Sequence, residues 1–171
     1  DLFSKSPSLV ALGGLRRPRA GWCSPEYIKQ KMEWARGRPV HWLGYTRTKL
    51  VRAFRPFSCD SSNWTSGARW GRAEMYLGGW RWSSATKGER SLTRSEVALA
   101  RRAGFSPPWS GMRWNAVGGS RGCFPFAVTA LSHVLYAREV RREIGTRVFQ
   151  AINLGDPEQA DYLFNAIEAT A

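Results

Sequence analysis

The chain is poor in cysteine and has no long apolar run, and each shortage excludes a class of protein. Its three cysteines, Cys23, Cys59 and Cys123, lie far apart and form no CxxC pair, so neither a disulfide framework nor a zinc knuckle is indicated. No apolar run approaches the roughly 20 residues that span a bilayer, and the first residues lack the basic-then-apolar order of a signal peptide. These absences favour a protein of the reducing cytoplasm that has no membrane partner.

Acidic residues are also scarce, with 13 Asp and Glu against 26 Lys and Arg, which gives a net charge of +13. The imbalance is confined to residues 1–125, with 22 basic and 7 acidic residues, whereas residues 126–171 have 4 and 6. A basic surface restricted to one part of the chain favours a polyanionic partner, with nucleic acid first. Nine Trp residues interleaved with Arg suit base stacking. The alternative is that Trp fills the core and Arg is solvated surface.

Short apolar segments alternate with amphipathic segments over residues 1–60. Ser24 followed by Pro25 predicts the start of a first helix, and Thr46 predicts the cap of a second. This βαβαβ order predicts an α/β fold with a parallel sheet, in which functional groups gather at the C-terminal ends of the strands. The predicted strands cover residues 9–12, 39–43 and 56–59, and the predicted helices cover residues 24–35 and 46–54.

The remainder of the chain divides into two predicted regions. Residues 61–122 are rich in Gly, Trp and Arg and predict an insertion of loops and short helices, with loop-like sequence over residues 106–122. Within it, Gly78-Gly79 predicts a hairpin turn, and a capping box from Thr93 to Glu96 predicts a helix. Residues 123–171 predict C-terminal helices, of which the longest runs from Phe126 to about Gln150, with a break near Gly145 as the alternative.

Asp60 is the leading candidate for chemistry. It comes directly after a predicted strand, where a carboxylate can attack an anomeric carbon or stabilise an oxocarbenium ion. The alternative is that Asp60 caps the polar loop that begins at Ser61. Cys59 is interpreted as a packed strand residue, and so is His41, for which the alternative is a functional side chain two residues before the strand end at Leu43-Gly44.

Three segments of the chain resemble the tRNA-guanine transglycosylases. Residues 38–51 and 57–61 are similar to that family's strand ending in "LMGVG", its helix "TPEDLV" and its strand ending in "FDC" or "FDS". Residues 10–15, with Gly13-Gly14-Leu15, are similar to its "VGGL" strand end. Val40-His41-Trp42-Leu43-Gly44, taken with Ser58 to Trp64, is closer to the phage and bacterial branch that inserts deazaguanine bases into DNA ("LHGFG…SADSxxW").

The resemblance implies a fold and an activity. It implies the C-terminal half of a (β/α)8 TIM-like barrel followed by a mostly helical region, and an enzyme that exchanges guanine for a deazapurine base. Asp60 would be the nucleophile at the nucleotide C1′, and the implied base-binding residues are Gly13, Gly14, Leu15 and Gly44. The family's second carboxylate, an acid/base, has no counterpart here. A barrel needs about 250 residues, so we expect an upstream half as a partner and no activity from this chain alone.

Nucleic acid is the expected polymeric partner, with DNA favoured over tRNA. A target base in a duplex would be flipped out of the stack, and the residues expected to contact nucleic acid are Arg47, Lys49, Trp64, Arg69 and Arg72. The alternatives left open are exchange in tRNA, a purely hydrolytic glycosylase and a non-catalytic binding or structural fragment. Homodimer formation, the inserted base and the sequence context are also left open.

No metal or other cofactor is expected. The family's structural zinc uses three cysteines and a histidine, whereas only Cys123 and His133 are available in the corresponding region. His133 is therefore interpreted as a core or surface histidine.

Overall fold

The computed structural model describes residues 9–15, 24–61, 64–86, 90–105, 124–152 and 157–171. These residues belong to two units, one made of Asp1–Ser61 with Val140–Phe149 and the other of Ser62–Glu139 with Gln150–Ala171. In chain order the elements are β1 (Val10–Leu12), α1 (Pro25–Trp34), β2 (Val40–Trp42), α2 (Thr48–Phe54), β3 (Ser58–Ser61), α3 (Trp64–Arg69), β4 (Arg72–Tyr76), β5 (Trp82–Thr86), α4 (Arg94–Arg102), α5 (Phe124–Ile144), β6 (Arg147–Gln150) and α6 (Glu158–Glu168).

The first unit contains a sheet with the strand order β1-β2-β3-β6. β1 pairs with β2 and β2 pairs with β3, both in parallel, so the predicted α/β class with a parallel sheet is confirmed. Ser24 caps α1 as predicted, because its hydroxyl accepts a hydrogen bond from the Tyr27 amide. The predicted Thr46 cap is wrong: α2 begins one residue later than expected, with Arg47 at the N-cap and no side-chain cap bond.

One face of this sheet is covered by apolar packing. Val40, Trp42 and Cys59 are buried, and the Trp42 ring lies 6.3 Å from the ring of Phe54 in α2. Successive side chains of a strand point to opposite faces. His41 therefore lies on the other face of the sheet, the one that does not pack against α2.

The second unit is built around the β4–β5 hairpin and helices α4, α5 and α6. The hairpin confirms the predicted turn, with Tyr76 paired to Trp82 across Gly78-Gly79. The capping box of α4 is also confirmed, since Thr93 and Glu96 exchange both of its hydrogen bonds. Helix α3 lies in the region predicted to contain loops and short helices, although its position was not predicted, and it contributes Trp64 and Ala68 to the core. The core of the unit includes the large side chains of Trp64, Met75, Phe124, Phe126, Leu131 and Tyr162.

The long helix does not continue to Gln150, and the alternative of a break near Gly145 is confirmed. Helix α5 ends at Ile144, and Gly145 then takes a left-handed conformation (φ 75°) that terminates the helix. The next residues form β6 beside β3, where the Arg147 amide donates to the Phe57 carbonyl at 3.1 Å. The Thr146 hydroxyl also joins the segment before β6 to the segment before β3, because it donates to the Pro56 carbonyl at 2.6 Å.

The predicted loop over residues 106–122 lies outside the described residues. Within the described ranges, no helix is both long enough and apolar enough to cross a membrane.

Candidate active site

Asp60 lies on the same face of the sheet as His41 and Ser58. The β2–β3 register places His41 opposite Ser58, and residues 58 and 60 share a face because they are two positions apart in one strand. The His41 ring bridges the two side chains: its Nδ1 lies 2.8 Å from Ser58 Oγ and its Nε2 lies 3.0 Å from Asp60 Oδ1. Ser58, His41 and Asp60 therefore form one hydrogen-bonded chain.

Gly44 supplies a second donor to the same carboxylate oxygen. Its backbone N–H donates to Asp60 Oδ1 at 3.0 Å from the turn that follows β2. Gly44 has a φ of 65°, a conformation that favours glycine. Oδ1 thus receives two donors, while Oδ2 makes no hydrogen bond to the part of the chain that the structure describes.

Exposure increases along this hydrogen-bonded chain. Ser58 is 3% exposed, whereas the side chains of His41 and Asp60 are 18% and 27% exposed. A hydroxyl as buried as that of Ser58 cannot reach a substrate, so the group available for chemistry is the Asp60 carboxylate.

The loop that Asp60 could cap instead includes Ser62 and Asn63, which lie outside the described residues. The carboxylate of Asp60 bonds to His41 and Gly44, which precede it by 19 and 16 positions, rather than to the described chain that follows it.

No family model, curated protein or solved structure matches this chain. The chemistry of the site therefore rests on its own geometry.

The glycine pair lies at the same edge of the sheet as Asp60 and Gly44. The Leu43 amide donates to the Leu12 carbonyl at 3.0 Å, so the ends of β1 and β2 are joined at this edge. Gly13 and Gly14 are exposed, and Gly14 has a φ of 78°. Leu15 is buried, so it can offer a base only its backbone. The C-terminal ends of three parallel strands therefore meet here, as the sequence predicted.

Two exposed apolar side chains flank this edge. The Phe149 ring lies 6.5 Å from the His41 ring and is 54% exposed, and Leu43 is 47% exposed. The sequence interpretation missed Phe149 because it assigned residues 145–150 to a helix. The available signal was Gly145 followed by the strand-forming residues Val148 and Phe149.

The residues expected to contact nucleic acid fall into different environments. Arg47 and Lys49 are exposed and follow Gly44 closely, at the site edge of the first unit. Arg69 and Arg72 are exposed in the second unit, where Arg72 pairs with Glu74 at 3.0 Å.

The prediction that Trp64 contacts nucleic acid is wrong. Its side chain is 0% exposed, and its indole N–H donates to the Ala151 carbonyl at 2.9 Å. A fully buried ring has no face to offer a base. The exposed aromatic in this region is instead Trp70, at 87%, which the sequence pattern did not separate from its neighbours.

His133 is buried in the second unit, where its ring lies 5.0 Å from that of Trp82. Its Nε2 is 3.9 Å from Glu74 Oε2, and His133 is the main cause of the lowered pKa of Glu74. Among the described residues, no three His, Cys, Asp or Glu side chains are placed to hold a metal ion. Cys123 lies outside them.

Cys59 is expected to resist alkylation. Burial, together with the negative charge of Asp60, raises the pKa of its thiol to about 12, so almost no thiolate exists at pH 8. Peptide mapping after iodoacetamide treatment should find Cys59 unmodified in the folded protein and modified in denaturant. Rapid labelling of Cys59 without denaturant would contradict the buried position.

Proposed function

We propose that this chain carries the nucleophile of a base-exchange enzyme that replaces guanine by a deazapurine in DNA. The observation that carries the proposal is the Asp60 carboxylate, which has one oxygen held by His41 and Gly44 and the other unbonded among the described residues. A carboxylate in this setting suits covalent catalysis at an anomeric carbon.

The barrel half is part of the proposal. β1, β2 and β3 are adjacent in chain order and parallel, and helices α1 and α2 connect them. This is the repeating unit of a (β/α)8 barrel, in which catalytic groups sit at the C-terminal ends of strands. In the proposed barrel the face bearing His41 and Asp60 would line the interior, and an upstream half would complete it.

The proposed base exchange has two steps. Asp60 Oδ2 attacks C1′ of the target nucleotide, the bond from C1′ to N9 breaks, and guanine leaves with the electron pair and takes up a proton. The ring nitrogen of the incoming deazapurine then loses its proton and attacks C1′ from the face that guanine left, which breaks the bond to Asp60. Gly13 and Gly14 are exposed, and their backbone is suited to contact either base, because glycine permits close approach.

The deciding experiment supplies a radiolabelled deazapurine to the full-length protein with either duplex DNA or tRNA. Incorporation into DNA is the expected result. Incorporation into tRNA alone would move the proposal to the other polymer. Release of guanine without incorporation would indicate hydrolysis, and no reaction with either polymer would favour a non-catalytic binding protein.

We expect Trp70 to contribute to nucleic acid binding, because it is almost fully exposed between Arg69 and Arg72. Replacing Trp70 by alanine should weaken binding to single-stranded DNA by about 1–3 kcal/mol, the usual range for one stacked base. Fluorescence anisotropy at several salt concentrations measures this loss.

Trp64→Phe is the matched control for Trp70→Ala. Trp64 is a core residue, so this variant should lower the free energy of unfolding and leave the affinity of the folded protein for DNA unchanged. Equal affinity of the Trp70→Ala variant and the original protein would remove Trp70 from the interface.

A further inference from the structure

The contacts of His41 exceed what a packed strand residue requires. Both of its ring nitrogens are within hydrogen-bond distance of a side chain on β3, one of Ser58 and one of Asp60. Trp42, its neighbour in the strand, is instead fully buried against α2. On the polar face of the sheet, the imidazole of His41 therefore connects Ser58 to Asp60.

The contact with Asp60 constrains which ring nitrogen of His41 carries a proton. An ionised carboxylate only accepts hydrogen bonds, so Nε2 must carry a proton toward Asp60 Oδ1. In the neutral ring Nδ1 is then unprotonated, and it accepts from the hydroxyl of Ser58. Because Ser58 is buried, its hydroxyl holds the ring in one orientation.

We propose that His41, oriented by Ser58, is the positioning residue of the Asp60 nucleophile. Its Nε2–H and the Gly44 N–H together fix Oδ1, so the carboxylate cannot rotate and Oδ2 faces the reacting carbon. His41 itself does not touch the substrate and transfers no proton. This inference rests on the proposed function, since it assigns a role within the same site.

The first test requires no activity. The chain has only two histidines, so a long-range ¹H–¹⁵N NMR spectrum of the ring nitrogens is simple, and the signals missing from the His41→Gln variant identify His41. The expected result is the Nε2–H tautomer both in the original protein and in Ser58→Ala, because the Asp60 carboxylate is present in both, with broader ring signals in Ser58→Ala because the ring has lost its second contact. A predominant Nδ1–H tautomer in the original protein would overturn the proposal, whether or not base exchange is observed.

The second test separates positioning from mere structural support. His41→Ala should lower kcat for base exchange by about 10²-fold, the usual consequence of misplacing a reacting group by about 1 Å, with KM unchanged. His41→Gln should recover much of the loss, because its amide N–H can donate to Oδ1 in place of Nε2–H. Both variants should have the same thermal unfolding midpoint.

The outcomes distinguish this inference from the proposed function. If His41→Ala retains full kcat while Asp60→Ala has none, the nucleophile stands and the positioning role of His41 is wrong. If His41→Gln is as inactive as His41→Ala at equal stability, donation to Oδ1 is not the role of His41. If the original protein incorporates no base but contains the Nε2–H tautomer, the function fails and the hydrogen-bonded arrangement stands.

Discussion

Replacing Asp60 by asparagine should lower kcat for base exchange by about 10⁴-fold or more, as loss of a catalytic nucleophile or its partner does in other enzymes. The amide is neutral and a poor nucleophile, so no covalent bond to C1′ forms. Its oxygen still accepts from His41 and Gly44, so the surrounding hydrogen bonds persist. The rate of labelled deazapurine incorporation measures the loss, and mass spectrometry should find no protein–DNA adduct.

A surface carboxylate provides the control for Asp60→Asn. Asp161 is exposed on α6, and Asp161→Asn removes the same charge from the chain without touching β3. This variant should exchange bases at the original rate, and both variants should bind DNA at least as tightly as the original protein, because each has lost a negative charge. A folded Asp60→Asn protein with normal exchange activity would show that the nucleophile lies elsewhere.

Glu96→Gln should lower the free energy of unfolding of the second unit by about 2 kcal/mol, in the usual range for a hydrogen bond to a charged group, because Glu96 is buried whereas its partner Arg90 is exposed. Glu96 is 1% exposed, and its carboxylate accepts from Arg90, from the hydroxyl of Ser83 and from the Thr93 amide at distances of 2.5–2.8 Å. The glutamine retains the size of the side chain but not the charge that Arg90 requires. Urea unfolding at pH 7 measures the difference.

The pH dependence identifies the charge of Glu96 as the cause. The hydrogen bond from Arg90 is the main reason that the pKa of Glu96 falls from 4.5 to about 2 on folding. A carboxyl group with a lowered pKa stabilises the fold fully above pH 4.5, and this contribution is lost as the pH falls toward 2. The original protein and the Glu96→Gln variant should therefore differ most at neutral pH and converge near pH 2.

Glu168→Gln is the control for Glu96→Gln, because Glu168 is exposed on α6 in the same unit. Its effect should stay within about 0.5 kcal/mol at every pH, as is usual for surface substitutions. A constant difference between the original protein and Glu96→Gln from pH 7 to pH 2 would mean that packing, and not charge, is responsible.

Local signals in the sequence predicted much of the secondary structure. Three features depend only on residues within a few positions of one another: the caps of α1 and α4 and the hairpin turn at Gly78-Gly79. They can therefore be predicted from the sequence alone. The order of β1, β2 and β3 and their shared edge also follow from the alternation of short strands with helices. The position of helix α3 was missed, since nothing local distinguishes it from a loop. Strand β6 was missed although Gly145, followed by Val148 and Phe149, is a local signal for it.

The sequence by itself determined the excess of positive charge, the parallel alternation of strands and helices, and the position of Asp60 near the end of a strand. Only the tertiary structure decided what Asp60 contacts. The register between β2 and β3 brings His41, Ser58 and Gly44 to one carboxylate from up to 19 positions away, and such pairings depend on how strands align. It also decided that Trp64 is core and Trp70 is surface, because burial depends on residues distant in the chain that pack against each ring.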